Sequence, residues 1–184
     1  MNTWNALNNF LPFIVGLILP VNGILPVWGE SCFIAPNATL TGDVVMGDEC
    51  SVWFNAVVRG DVYSIRIGNK TNIQDGVIVH CTYKRAATSI GNGVSIGHHA
   101  MIHGCTIEDH VLIGMGAIVL DRAVVQEGCL VGAGAVVTEG SILESGFLYA
   151  GIPARKIKPV TDEQKQTILR TASRYPEYAA MYTL

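Results

Sequence analysis

Positive charge is absent from the N-terminal part of the sequence: no lysine or arginine precedes Arg59, and the first 29 residues carry no charged side chain. A secretory signal needs a basic start, and its absence disfavours export. The apolar run FLPFIVGLIL at Phe10 to Leu19 is half of the about 20 residues that span a bilayer. We therefore expect residues 1–27 to be an N-terminal apolar segment that packs on the domain or on another subunit, without a membrane partner. An atypical export signal or an extended gene start is the alternative.

The sequence also lacks a CxxC pair and an excess of basic residues. Its five cysteines are odd in number, which disfavours a disulfide framework or a zinc knuckle and favours the reducing cytoplasm. A formal net charge of -3 gives no electrostatic attraction to nucleic acid, so we expect none as a partner. With 184 residues, 49% of them hydrophobic and 15% charged, the chain is long enough for one domain with a sizeable core.

A six-residue repeat organises most of the chain. From Trp28 the sequence divides into eighteen hexads, each led by an apolar residue, with short insertions after VRGDVY and VHCTYK. The fifth residue of each hexad is small or β-branched, apart from Tyr83. Three such strands per turn close a triangular coil, and neighbouring coils stack about 4.8 Å apart. The period predicts an all-β fold, a parallel β-helix of about six coils over residues 28–158, because an ordinary β-sandwich would not need an unvarying period.

A helix is predicted after the coils, within a C-terminal helical segment at residues 159–184. Thr161-Asp-Glu-Gln164 has the pattern of a capping box, which marks a helix start. We expect this helix to run to about Arg174, where Pro176 would interrupt it.

The repeat also predicts which way each histidine points. Arg59, His80 and His103 are the second residues of three hexads that fall on one face of the prism, which we call the Arg59 face. They form a stack with members about one strand spacing apart, which suits two imidazoles on one metal ion. The remaining possibility is that the histidines only decorate a polar surface.

A second face, which we call the Gln74 face, brings Gln74 and Asp75 one coil away from His98. His98 diverges from His80 within one chain, but in a three-fold trimer the Gln74 face of one subunit can meet the Arg59 face of the next. Three histidines leave a fourth metal position for water, as in catalytic zinc sites. The same interface would allow a salt bridge from Asp75 to Arg59 of the neighbour.

The other histidines and the cysteines are weaker candidates. His99 competes with His98, but adjacent residues of an extended strand point in opposite directions, and His110 is expected at a solvated corner. Three cysteines take the inward fifth position and are predicted to lie in the core: Cys32, Cys50 and Cys129. Cys81 and Cys105 lie near the histidines in the sequence, and we favour a structural role for both.

Several segments together resemble the gamma-class carbonic anhydrases and their bacterial relatives over residues 21–175: RGD at 59–61, NIQDG at 72–76, His80, and the stretch from Gly97-His98 to His103-Gly104-Cys105. The resemblance implies a left-handed β-helix, a homotrimer, and zinc (or iron or cobalt) held by His80, His98 and His103. It also implies a lyase in which metal-bound hydroxide converts carbon dioxide to bicarbonate.

The resemblance assigns roles to further residues. Arg59 and Asp75 match an intersubunit ion pair, Gln74 a group that orients metal-bound water, and Asp61 a supporting carboxylate. Tyr149, in YAGIPA, matches an active-site tyrosine.

The sequence departs from the best-studied branch of this family at the residues that carry protons. That branch has glutamates at the position of Val62 and in the loop after the first metal histidine, and an asparagine at the position of Gly151. Here the loop CTYKRAATS contains no acid, so we expect slow turnover. Two alternative functions remain: a coenzyme A-dependent acyltransferase, favoured by the GIPARK segment at 151–156, and a non-catalytic trimer stabilised by metal.

Overall fold

A computed structural model describes residues 16–182, in which the regular elements are a series of β-strands, most of them two or three residues long, followed by one helix. In chain order the strands are β1 (Leu17–Leu19), β2 (Val27–Trp28), β3 (Phe33–Ile34), β4 (Thr39–Met46), β5 (Ser51–Val52), β6 (Val57–Ile67), β7 (Asn72–Ile73), β8 (Ile78–His80), β9 (Thr88–Ile90), β10 (Ser95–Ile96), β11 (Met101–His103), β12 (Thr106–Ile107), β13 (Leu112–Ile113), β14 (Ile118–Val119), β15 (Val124–Val125), β16 (Leu130–Val131), β17 (Val136–Val137), β18 (Ile142–Leu143), β19 (Phe147–Ala150) and β20 (Arg155–Pro159). The helix α1 is Asp162–Ala180. The prediction for the first 15 residues lies outside the described part of the chain.

The strands stack as a three-sided parallel coil. The Arg59 face contains β1, the first halves of β4 and β6, and then β8, β11, β14 and β17. The Gln74 face contains β3, β5, β7, β10, β13, β16 and β19, and the third face begins with β2 and ends with β18. Each face has seven rungs, so the coil is one turn longer than the about six turns expected from the hexads that start at Trp28.

The interior of the coil is filled in the way that the repeat predicts. Leading residues of the Arg59 face have at most 1% of their surface exposed: Leu40, Val58, Val79, Ile102, Val119 and Val137. Fifth residues of the Gln74 face form an equally buried column of small side chains: Ala38, Ala56, Val77, Ala100, Ala117 and Ala135. Since a fully buried aliphatic side chain contributes about 1.5–3 kcal/mol, this repeated burial is the main source of stability.

The last strand and the helix differ from the sequence prediction. β20 runs antiparallel to β19, which was not predicted. The capping box at Thr161 and Gln164 is confirmed, but α1 continues through Pro176 to Ala180, so the predicted interruption is wrong. Packing compensates for the lost hydrogen bond: the Tyr175 ring lies 5.3 Å from the Trp53 ring and holds this end of the helix on the coil. Within the described chain no helix is long and apolar enough to cross a membrane.

One corner of the coil is held by a ladder of polar side chains. The backbone N–H of Asp48 donates to Asn69 Oδ1 over 2.8 Å, that of Asn69 to Asn92 Oδ1 over 2.8 Å, and that of Asn92 to Asp109 Oδ1 over 2.7 Å. All four are third residues of their hexads, so each side chain satisfies a corner amide of the preceding coil. Three of the four follow a glycine, and a Cβ on Gly47, Gly68 or Gly91 would lie within 2.7 Å of the neighbouring side-chain oxygen.

This ladder predicts a position-dependent cost of adding one methyl group. A Cβ on Gly68 would lie 2.7 Å from Asn92 Oδ1 and from the Gly91 carbonyl carbon, whereas a Cβ on Gly132 would meet nothing closer than the Ala150 methyl at 3.2 Å. Both glycines are second residues of their hexads. Gly68→Ala should lower the free energy of unfolding by about 2 kcal/mol, and Gly132→Ala by less than about 1 kcal/mol, in urea denaturation at one protein concentration. Equal losses would contradict this account of the corner.

Candidate metal centre

The register of the Arg59 face brings two of the predicted ligands together. β8 and β11 pair in parallel with His80 opposite His103, and β6 continues the same face so that Arg59 follows on the next rung. His80 Nδ1 lies 3.1 Å from His103 Nε2, and the ring centroids are 5.1 Å apart. The stack predicted from the repeat is therefore present, with the imidazoles close enough to share one ion.

Each of these histidines has a carboxylate on its other ring nitrogen. His80 Nε2 lies 2.9 Å from Asp61 Oδ1, and the second oxygen of Asp61 accepts a hydrogen bond from Arg59. His103 Nδ1 lies 2.6 Å from Asp121 Oδ1. A carboxylate behind a histidine fixes the orientation of the ring and its tautomer, as at many metal sites.

These contacts determine where the ring protons lie. An ionised carboxylate only accepts hydrogen bonds, so the neutral form of His80 carries its proton on Nε2 and the neutral form of His103 on Nδ1. The two nitrogens that face each other at 3.1 Å then both hold lone pairs. Two nitrogens at about 2.0–2.1 Å from one tetrahedral zinc ion lie about 3.3 Å apart. The pair thus has the chemistry and nearly the spacing that a divalent metal requires.

The electrostatics keep the carboxylates charged and His80 neutral. Burial opposes ionisation of Asp61, but hydrogen bonds from His80 and Arg59 outweigh it and lower its pKa. For Asp121, burial is likewise outweighed by hydrogen bonds from Thr82 and His103, which lower its pKa. Burial, assisted by the Arg59 charge, lowers the pKa of His80 against the effect of Asp61. A neutral imidazole is the form that binds metal.

The third predicted ligand lies on the Gln74 face with the same kind of partner. His98 Nδ1 is 2.9 Å from Asp75 Oδ2, and their side chains are 38% and 39% exposed. Gln74 is 5% exposed, donates from Nε2 to Asn72 Oδ1 over 3.0 Å and accepts at Oε1 from the His98 backbone N–H over 3.2 Å. His98 is thus anchored through its backbone and ring, and its Nε2 points away from the carboxylate.

Not all predicted site residues come together within one chain. Within residues 16–182 no three histidine, cysteine, aspartate or glutamate side chains are grouped to hold a metal ion. Arg59 pairs with Asp61 and Asp75 with His98, so the predicted ion pair between Arg59 and Asp75 stays a prediction about two subunits.

Tyr149 lies apart from the histidines. It is the inward leading residue of the last rung, three rungs beyond β10 on the Gln74 face, and is 6% exposed. Its hydroxyl accepts a hydrogen bond from the Glu144 backbone N–H over 2.8 Å. In this chain Tyr149 is a core residue, and its catalytic role rests on the resemblance alone.

Other expectations near the site are clarified by the structure. His98 and His99 lie in a turn, not in an extended strand, and His99 has a left-handed backbone with φ 58°. Its ring packs beside Gly76, so the two histidines still point different ways. Cys81 and Cys105 are 1% exposed, and burial raises the pKa of the Cys105 thiol to about 12, which keeps it protonated.

Sequence reasoning missed Asp121. The signal was available: Val119 pairs with Ile102, so the hexad VLDRAV lies one rung beyond the hexad of His103. Its third residue projects from the corner next to that histidine. An acid at this place is visible in the repeat once the register is known.

Comparison with known proteins identifies the family. Residues 87–121 and 104–139 match the family model described as bacterial transferase hexapeptide (six repeats). The chain is 46% identical over 166 residues to a carbonic anhydrase of Geobacillus kaustophilus, a match that covers 90% of this chain and 91% of the relative. It is 53% identical over 142 residues to a probable carbonic anhydrase of Methanocaldococcus jannaschii, covering 77% and 89%.

Two further matches concern length and fold. Mitochondrial gamma carbonic anhydrase 1 of Arabidopsis thaliana is 41% identical over 159 residues, but this match covers 84% of the chain and 58% of the plant protein, which is longer. A crystal structure from Bacillus cereus, described as an acetyltransferase, superimposes with a TM-score of 0.88 at 37% identity and covers 91% of this chain and 96% of that one. The left-handed hexapeptide β-helix implied by the resemblance is confirmed.

Proposed function

Because this chain belongs to the gamma carbonic anhydrase family of hexapeptide-repeat proteins, we propose that it is a metal-dependent lyase for the reversible hydration of carbon dioxide. The observation that carries the proposal is the pair of imidazole nitrogens 3.1 Å apart, each ring held from behind by a carboxylate. With both rings neutral, the facing lone pairs repel each other unless a cation lies between them, so the pair has a physical reason to bind one.

The complete site is formed by two chains of a homotrimer in this proposal. His80 and His103 of one subunit and His98 of the next hold zinc, or iron or cobalt, with three sites per trimer. Exposure supports it: Ile78 and Met101 lie on the outward side of the same strands as the histidines, with 40% and 37% of their surfaces exposed. Apolar side chains of this size beside a polar site favour coverage by a second subunit.

The chain's own residues then have separate tasks. A metal held there would supply a Lewis acid that lowers the pKa of water to about 7. Asp61 holds His80 and is itself fixed by Arg59. Gln74, immobilised at both ends of its amide, keeps one Nε2 proton for orienting the reacting oxygen. Arg59 and Asp75, which contact Asp61 and His98 within one chain, would in addition pair with each other across the subunit boundary.

Metal content and hydration test the proposal together. Protein purified without oxygen should contain about one metal ion per chain in elemental analysis and hydrate carbon dioxide in stopped-flow measurements. His103→Ala should lose the metal and at least 100-fold of the rate, since one of three ligands is gone. His110→Ala, a histidine paired with Glu127 at another corner, is the control and should retain both. A metal-replete trimer with no hydration above background would refute the lyase.

Mixing two variants tests whether the site is shared. His98→Ala and His103→Ala homotrimers should each bind no metal. A 1:1 mixture, denatured and refolded together, should recover roughly one quarter of the wild-type sites, because one interface type in four combines an intact His98 with an intact His103. No recovery in refolded mixed trimers would contradict a site divided between chains.

Proton removal should limit the rate, because neither the loop after His80 nor position 62 provides an acid. Val62 is an apolar side chain that is partly buried against the core. Imidazole buffer should raise the turnover rate at constant pH. Val62→Glu should raise the turnover rate about tenfold or more by providing a titratable group near the site. Val62→Gln introduces a side chain of the same shape as glutamate without the titratable group, and it should leave the rate unchanged. Equal rates in both variants would mean that proton transfer is not the slow step.

An acyltransferase is the second candidate, favoured by the hexapeptide transferase match and by the acetyltransferase description of the Bacillus cereus relative. Such an enzyme would use a single histidine as general base and need no metal. Acetyl-CoA should then raise the melting temperature while chelators leave it unchanged. A melting temperature lowered by chelation, without any turnover, would instead indicate a metal-stabilised scaffold.

Under each of these functions we place the protein in the cytoplasm. All five cysteines lie in the described range and are free thiols, which fits a reducing compartment.

A further inference from the structure

A continuous hydrogen-bonded chain runs behind His103. Its Nδ1 lies 2.6 Å from Asp121 Oδ1, and the Thr82 hydroxyl donates to Asp121 Oδ2 over 2.5 Å. Asp121 is 14% exposed, less than the 24% of Asp61 behind His80. Both oxygens of Asp121 are therefore committed, one to the histidine and one to the hydroxyl that holds it.

A glycine beside His103 leaves room for this carboxylate. Gly104, the residue after His103, has φ 56°, and a Cβ there would lie 2.4 Å from Asp121 Oδ1 and 2.8 Å from the Ala86 methyl. The carboxylate thus occupies the space that a Cβ on Gly104 would fill. Ala86 is 6% exposed and closes the other side.

Thr82 is fixed by the loop that follows the other histidine of the pair. Its N–H donates to the Ala86 carbonyl over 3.1 Å, and its own carbonyl accepts from the Arg85 N–H over 3.1 Å. Arg85 in turn donates to Glu139 Oε1 over 2.9 Å, which ties the loop to a later coil. The loop after His80 therefore contacts Asp121 through Thr82.

We infer that Asp121, held by Thr82, is the positioning residue of His103: it keeps the proton on Nδ1 and directs the Nε2 lone pair towards His80 and a shared divalent metal. This inference rests on the proposed function, since it gives the ring nitrogen a metal to bind. The inference also gives a role to the loop after His80, which contains no acid. Through Thr82 this loop would hold a ligand histidine in place instead of carrying protons.

The tautomer of His103 in metal-free protein is the first test, because it does not depend on metal binding. Nitrogen-15 NMR of histidine-labelled wild-type protein should show His103 protonated on Nδ1. Asp121→Ala should shift the ring to a mixture with the Nε2-protonated form, which otherwise predominates in neutral imidazole. Asp109→Ala is the matched control: Asp109 is also the third residue of its hexad and caps a corner amide, but it contacts Asn92 and no ligand histidine. This control should leave His103 unchanged.

Metal affinity is the second test, measured with Zn²⁺ against a competing chelator on assembled trimers. Asp121→Ala should raise the dissociation constant about 10- to 100-fold, as loss of a carboxylate behind a metal-binding histidine typically does. Thr82→Val should raise it several-fold. Asp121→Asn, whose amide oxygen still accepts from Nδ1, should keep the tautomer and recover part of the affinity, and it preserves volume if the alanine variant does not fold.

The outcomes separate the two proposals. An unchanged His103 tautomer in folded Asp121→Ala, or an affinity loss no larger than that of Asp109→Ala, would overturn the role of Asp121. If wild-type protein binds no Zn²⁺ while the tautomer still depends on Asp121, the proposed function fails and the positioning of His103 stands.

Discussion

The backbone hydrogen bonds between successive coils are the constraint on which the rest of this molecule depends. They fix a parallel register in which Val58, Val79 and Ile102 lie on top of one another, so that the residues that follow them are neighbours in space although 20 or more positions apart in sequence. A shift of one residue would exchange inward and outward side chains and separate His80 from His103. The candidate metal pair is thus a consequence of the core packing.

The period of six made most of this fold predictable from the sequence, and its limits lie where the period is lost. Trp28 comes ten positions after Ile18 and not six, so the first rung is out of phase with the hexads that follow, although Ile18 pairs regularly with Leu40. At the other end, the last rung contains the large side chains of Phe147 and Tyr149, so its sequence does not match the hexad pattern. Pro176 was misjudged for a different reason: an aromatic cluster stabilises the helix end, and local propensity cannot reveal such packing.

The candidate site was predictable to the extent that its residues occupy defined places in the repeat. The outward stack of Arg59, His80 and His103 followed from counting hexads, and so did the neighbourhood of Gln74 and His98. The contacts between side chains were harder to predict. The repeat places an aspartate at a corner but does not determine whether it contacts a histidine, an arginine or a backbone amide. Asp121 and Asp109 occupy the same hexad position, yet one contacts a histidine and the other caps an amide.

In each of the three candidate ligands, one ring nitrogen contacts a carboxylate and the other points towards a different partner. This arrangement recurs on two faces of the coil: Asp61 and Asp121 serve the Arg59 face, and Asp75 serves His98 on the Gln74 face. A surface histidine that merely faced solvent would gain little from such a carboxylate, whereas a ligand gains basicity and a fixed tautomer. Under the proposed function, the free energy of metal binding is then also free energy of subunit association, because neither face holds three ligands by itself. Metal loading and trimer assembly would then be two measures of one equilibrium. The slow rate of proton transfer would be a separate property, because it depends on Val62 and on the loop after His80, which contains no acid.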